Sequence, residues 1–207
     1  RDNRVYLVTS DTQGTGTAPD ALAIFDTSDP TQPVPMGSLT FTEEQGRPWV
    51  LAVHGELAAV IVIGAADLIM IDISEPGAPV ALGEVNVNFA CGGAAFGDLH
   101  LEADYAYLTC SGSGLHVVDV SDPQQPSNVG SYKLSLPGDL VWASRFSKVG
   151  DTLWLAYGSA GLLALDTSDP TNPGFLGLWA PAEPTTEHSY FSGIEVKGDT
   201  AYAVDCP

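Results

Sequence analysis

An all-β fold, a β-propeller of four-stranded antiparallel blades, is what this sequence predicts. Three observations predict it: a recurring phrase, its constant spacing, and the division of each period into four apolar runs. The phrase reads ALAIFDTSDPTQP, DLIMIDISEPGAP, GLHVVDVSDPQQP and GLLALDTSDPTNP, centred on Asp26, Asp72, Asp119 and Asp166. Those aspartates lie 46, 47 and 47 residues apart. Propeller blades repeat every ~40–50 residues, and one blade buries its two faces only by stacking on neighbours. Near-continuous apolar runs such as AAVIVI and LIMIDI fit strands covered on both faces.

The third copy illustrates the elements in order. Leu99 to Glu102 is a first strand, Ala103-Asp104 a tight turn, and Tyr105 to Cys110 a second strand. Ser111 to Gly114 is a loop, Leu115 to Val120 a third strand, and Val129 to Leu134 a fourth after the SDPQQP turn. Short runs rich in Val, Ile, Leu and Tyr, punctuated by Gly, Pro, Asp and Ser, are the mark of an antiparallel meander. In D-x-S-[DE]-P the Asp and Ser side chains bond backbone N–H groups just ahead, and Pro sets φ for the turn. The second Pro, three residues on, is expected to keep the chain from pairing prematurely. Gly55-Glu56, Gly150-Asp151 and Gly198-Asp199 join first to second strands, where glycine supplies the permissive backbone.

First strands fall near Val50, Leu99, Phe146 and Ile194, and second strands at Val5, Ala58, Ala106, Leu153 and Ala201. With four third and four fourth strands the total is seventeen, starting and stopping inside a blade. The expectation is therefore one domain, or part of one, over residues 1–207, holding about four blades as an open part of a larger propeller. The parent polypeptide would continue on both sides. The competing arrangement is a closed four-blade ring with a redundant end strand.

Composition bounds the function. Asp and Glu number 26 against 7 Lys and Arg, a net charge of −19, in a chain of 207 residues that is 44% hydrophobic. Such a field repels phosphate backbones and excludes nucleic acid as a partner. It also suits a salty medium, where screening offsets the self-repulsion. No apolar run reaches the ~18 residues of a membrane span. The three cysteines are Cys91, Cys110 and Cys206. Cys110 ends a second strand beside the start of a first strand near Gly97, and Cys91 lies a few residues before that start. A Cys91–Cys110 disulfide is expected, with two buried thiols as the alternative.

The repeat resembles the LVIVD-repeat family. LHVVDVSDPQQPSNVGSY follows that family's aliphatic strand, Asp-Val-Ser-Asp-Pro, second Pro and Gly-Ser-Tyr strand. GDTLWLAYGSAGLLALD and GDTAYAVD are similar to its Gly-Asp-x-Ala-Tyr-Val-Ala strand. The resemblance covers essentially the whole chain. It implies a β-propeller of secreted, cell-surface or periplasmic proteins, and no particular activity. Copy two departs from it with Glu75 and with Gly64-Ala65-Ala66. Copy one carries an extra loop from Asp11 to Asp20, expected to be mobile or to contact a partner.

The histidines His54, His100, His116 and His188 show no H-x-H or HExxH spacing, so no metal site is expected from them. No G-x-S-x-G elbow occurs. The D-x-S-[DE]-P turns offer the oxygen ligands calcium favours, but few at each turn, and a structural Asx turn explains their recurrence better. No cofactor is expected, with calcium the one candidate. Recognition is expected where loops differ between copies: EEQGRPW, ACGGAAFGD, PGDLVWASR and EHSYFSG. They supply the binding candidates Trp49, Asp98, Trp142, Arg145, His188 and Tyr190, several of them residue types that dominate binding hot spots. The alternative is that the aromatics plug a central channel. The expected function is a non-catalytic extracellular scaffold or recognition module for a protein or glycan. The alternatives are a hydrolase or lyase acting on an extracellular polymer at the channel mouth, and a structural subunit of a surface layer or larger complex.

Overall fold

The computed structural model describes residues 3–10, 19–64, 67–87, 96–135, 143–180 and 190–206, the side chains of 64, 67, 96, 190, 205 and 206 excepted. These residues hold seventeen strands and no helix. The first sheet is β1 (Arg4–Thr9), β2 (Ala21–Asp26) and β3 (Val34–Thr40). The second is β4 (Gly46–His54), β5 (Leu57–Gly64), β6 (Asp67–Asp72) and β7 (Val80–Asn86). The third is β8 (Phe96–Leu101), β9 (Tyr105–Cys110), β10 (Gly114–Asp119) and β11 (Ser127–Tyr132). The fourth is β12 (Ala143–Val149), β13 (Thr152–Tyr157), β14 (Leu162–Asp166) and β15 (Gly174–Trp179). The last pairs β16 (Tyr190–Lys197) with β17 (Thr200–Cys206). Each sheet follows chain order, and the registered pairs are antiparallel. The meander read from the sequence is therefore present, strand for strand.

Local chemistry accounts for the ladder. His54 pairs with Leu57, Val149 with Thr152 and Lys197 with Thr200, leaving two-residue turns that open on Gly55, Gly150 and Gly198. Their φ values are 59°, 56° and 58°, the left-handed region where glycine meets no Cβ penalty. At the other turn, Asp26, Asp72, Asp119 and Asp166 each accept the N–H of the serine two residues on, at 2.8 to 2.9 Å. The residue between them donates its N–H back across the blade: Ile73 to the Glu56 carbonyl at 2.9 Å, Val120 to Asp104 at 2.8 Å, Thr167 to Asp151 at 2.7 Å. Each repeat is thereby tied into one blade.

The chain divides into two compact units, with the boundary inside the third sheet. In the first unit, Leu22, Ile24 and Phe41 pack against Val60, Val62, Ile69, Ile71 and Ile73, all 5% exposed or less. In the second, Ala156, Phe191 and Ile194 form a smaller cluster flanked by the half-buried Trp154, Leu162 and Val196.

One packing device recurs at the edge of the blades. A glycine stands eleven residues after each phrase aspartate, at Gly37, Gly83, Gly130 and Gly177. A Cβ on Gly37 would stand 2.3 Å from the Pro76 carbonyl oxygen, and one on Gly83 2.5 Å from that of Gln124. On Gly130 it would stand 2.2 Å from the Pro170 oxygen. The fourth-strand glycine is thus the seat of the following repeat's S-[DE]-P turn. Its Pro76 and Pro79 are buried, as are Pro126 and Pro173, while Pro123 and Pro170 are half-buried. The second Pro also serves in packing, since three of its four copies, Pro79, Pro126 and Pro173, are buried.

Candidate functional site

The first strands β4, β12 and β16 all break register in the same half. The shifts fall between Pro48 and Val50, between Ala143 and Phe146, and between Phe191 and Gly193. Trp49, the pair Ser144-Arg145, and Ser192 are the residues left out of the ladder. A bulge re-aims a side chain that regular pairing would have fixed. Trp49 is 54% exposed, and Arg145 is exposed as well.

Around Arg145 the backbone is held tightly. Asp98, in β8, accepts the Phe146 N–H on its Oδ2 at 3.2 Å. The fully buried Thr109 hydroxyl donates to the Ser144 carbonyl at 2.5 Å. Gly97 faces the same stretch, where a Cβ would lie 2.3 Å from the Ser144 oxygen. Lys148 places its Nζ 4.9 Å from the centre of the Tyr107 ring and donates to the Gly150 carbonyl. Asp98 and Arg145 are thus neighbours, with Asp98 bonding the backbone beside the arginine. Tyr190 opens β16, its side chain outside the described set. Trp142 and His188 lie outside the described residues, as do Cys91 and residues 11–18 of the extra loop.

Cys110 is buried and disulfide-bonded. Cys91, its expected partner, is among the residues not described.

Several of the described polar groups that could do acid–base work hold bonds within the fold. The Tyr157 hydroxyl, on a side chain 1% exposed, donates to the Leu134 carbonyl and accepts the Leu134 N–H, both at 3.2 Å. Burial pushes that hydroxyl above its ordinary pKa. His116 Nε2 lies 2.9 Å from Ser113 Oγ, and burial lowers the imidazole pKa. His100 lies 3.5 Å from a Glu102 carboxylate oxygen, both partly exposed. His54 is exposed at the end of β4. Hydrogen bonds from Ser28, Ser74, Ser121 and Ser168 hold Asp26, Asp72, Asp119 and Asp166 below the usual carboxylate range. Among the described residues no three His, Cys, Asp or Glu side chains converge to hold a metal ion. No helix among them is long and apolar enough to cross a membrane.

Sequence reasoning found Trp49, Asp98 and Arg145 as candidates. It did not find the bulge that presents Trp49 and Arg145, nor the fourth-strand glycine seat. The glycine's fixed offset from the phrase aspartate was a signal that could have located the seat.

A model of the LVIVD repeat matches residues 18–40, 46–87, 92–133 and 143–179. Comparison with curated proteins finds no significant sequence match. Solved structures are similar in fold. The periplasmic gluconolactonase PpgL of Pseudomonas aeruginosa is 10% identical with a TM-score of 0.72, over 98% of this chain and 62% of that one. A putative 6-phosphogluconolactonase of Bacteroides fragilis is 15% identical with a TM-score of 0.66, over 98% and 61%. A hypothetical selenium-binding protein of Sulfolobus tokodaii is 12% identical with a TM-score of 0.63, over 93% and 51%. The chain thus spans less than two thirds of the length of these structures. At such identities the likeness concerns the fold alone.

Proposed function

The chain belongs to the LVIVD repeat family, and from that premise we propose that it is a non-catalytic recognition or scaffold module binding a protein or glycan partner. The observation that carries this reading is a contrast between two exposed side chains, Trp49 and Arg145, and polar groups that are spent inside the fold. The two exposed side chains leave the strand ladder at bulges. The buried or half-buried Thr109, Tyr157 and His116 are committed to bonds inside the fold. Trp and Arg on a rigid backbone lose little conformational entropy on binding, and both residue types are enriched among hot spots. An oxidising location, extracellular, cell-surface or periplasmic, is supported by the disulfide at Cys110. The acidic surface disfavours nucleic acid and favours basic or neutral partners.

A second reading is a hydrolase, favoured by the two lactonase-named structures among the fold neighbours. One pair of assays separates the two. On glycan and peptide arrays the protein should retain a ligand class that the Trp49→Ala and Arg145→Ala variants lose by at least about tenfold, the ~1.4 kcal/mol of one hot-spot contact. Hydrolysis of glucono-1,5-lactone, followed by pH-stat, should equal the uncatalysed rate. Array silence together with lactone turnover would overturn the proposal in favour of the enzyme.

A further inference from the structure

The third copy departs from its siblings at three positions. Counting back from the hairpin that joins first to second strands, Gly97 and Asp98 stand where other copies carry Trp49 and Val50, Ser144 and Arg145, and Ser192 and Gly193. Counting forward from it, Thr109 stands where they carry Val8, Ile61, Ala156 and Val204. The strand therefore forms with an apolar residue at the Thr109 position. A hydroxyl there is fully buried and costs free energy unless it is bonded.

All three departures meet the same stretch of the next copy. Thr109 Oγ1 donates to the Ser144 carbonyl at 2.5 Å. Asp98 Oδ2 accepts the Phe146 N–H at 3.2 Å. A Cβ on Gly97 would stand 2.3 Å from the Ser144 oxygen and 2.7 Å from Thr109 Oγ1, so only glycine leaves room for the first bond. These residues lie within the second compact unit. The stretch is flanked on its other side by β16, where Val196 donates its N–H to Ser147 Oγ at 3.1 Å. Between the two bonded positions stands Arg145, exposed, its guanidinium in no ion pair or hydrogen bond among the described residues.

We propose that Gly97, Asp98 and Thr109 are positioning residues that clamp the bulge on both sides of Arg145 and fix the direction in which it meets the partner. The proposal rests on the recognition reading of Arg145. Ser144 and Arg145 have left the strand ladder, so ladder bonds do not order them. A bulge free to move would have to be ordered on binding, which weakens affinity. The clamp supplies that order beforehand. Asp98 thereby acts through the backbone beside Arg145 rather than as a contact of its own.

The test combines a readout on the free protein with one on binding, in variants shown by their thermal transition to be folded. In Thr109→Val, native-state exchange of the Phe146 amide and tryptic cleavage after Arg145 should each rise by about tenfold, the scale of one lost buried hydrogen bond. The Leu165 amide, within the same sheet, should keep its protection. Thr109→Ser, which keeps the hydroxyl, should behave as the wild type in both. On the glycan and peptide arrays, Thr109→Val should lose ligand about as far as Arg145→Ala, and the double variant should lose no more than Arg145→Ala alone. Unchanged exchange and cleavage in Thr109→Val overturn the clamp. So does a Thr109→Ser protein no better than Thr109→Val, or a binding loss that adds to that of Arg145→Ala. Arrays on which the wild type retains nothing refute the recognition reading instead, and exchange and cleavage then decide the clamp by themselves.

Discussion

The joint between the first and second sheets and the face of the fourth sheet are built from the same repeat but do not bury it equally. In the first, Ile24 is fully buried, Leu39 half-buried, and Gly37 lies under the Pro76-Gly77 turn. In the second, Trp154 and Leu162 are half-buried, Trp179 is 56% exposed, and no atom of the described residues lies within 4 Å of a Cβ built on Gly177. Trp179 instead makes an edge contact with Phe191, ring centres 6.0 Å apart. The strands β16 and β17 supply the counterpart of β4 and β5, and apart from the Phe191–Trp179 pair β16 packs mainly on β12 and β13. The difference teaches that the outer half of a blade face is covered by the next blade's third strand and phrase turn. The first strand of that next blade covers only the inner half.

The largest effect should come from adding a side chain at a filled seat. Gly37→Leu or Gly83→Leu drives carbon into a backbone carbonyl that cannot swing away, and should cost 3 kcal/mol or more by the order of severe overpacking, about 1–3 kcal/mol and above. Gly177→Leu should cost less than about 0.5 kcal/mol, as at an exposed site. Urea denaturation of the three variants checks the comparison, and equal losses at Gly37 and Gly177 would break it.

Truncation should sharpen the same contrast. Ile24→Ala or Ile69→Ala removes a buried side chain from the filled joint and should destabilise by about 2–5 kcal/mol. Leu176→Ala on the open face should change stability by no more than about 0.5 kcal/mol. A comparable loss from Leu176→Ala in dilute protein would show that the face is covered in the monomer.

Reduction of the Cys110 disulfide should cost about 2–4 kcal/mol, readable as a lower Tm in reductant. Peptide mapping without reductant should recover Cys110 linked to Cys91, and a Cys110–Cys206 link would refute that pairing. Smaller again is Thr109→Val, which leaves the Ser144 carbonyl without its buried hydroxyl donor and should cost about 1–2 kcal/mol.

The pH dependence should be the weakest signal. The phrase carboxyls have folded pKa values below the ordinary 3.8, so their contribution is present above that value and disappears as pH falls through the depressed one. His116, also depressed, loses its contribution as pH falls below its ordinary 6.5. A Tm that declines gently below about pH 6 and more steeply below about pH 4 fits this order. A Tm that rises on acidification contradicts it.

The sequence by itself determined the period, the strand count and the turn chemistry. These are local matters: an Asp two residues before a Ser, a Gly opening a two-residue hairpin, and aliphatic runs of strand length act within a few residues. It also pointed to Trp49, Asp98 and Arg145, because unlike loops stand out against like strands. Only the tertiary structure decided that Asp98 bonds the backbone beside Arg145, and that a bulge turns Trp49 outward. The first depends on which strand of one blade meets which strand of the next, the second on the register of β4 against β5 within one sheet. The first of these reasons also governs the glycine seats. Gly37 and Pro76, Gly83 and Pro123, and Gly130 and Pro170 are 39, 40 and 40 residues apart. A pattern confined to one repeat reads alike in all four copies. Whether its glycine is crowded or open is set by what stacks upon it, and stacking is a relation between repeats that no single repeat contains.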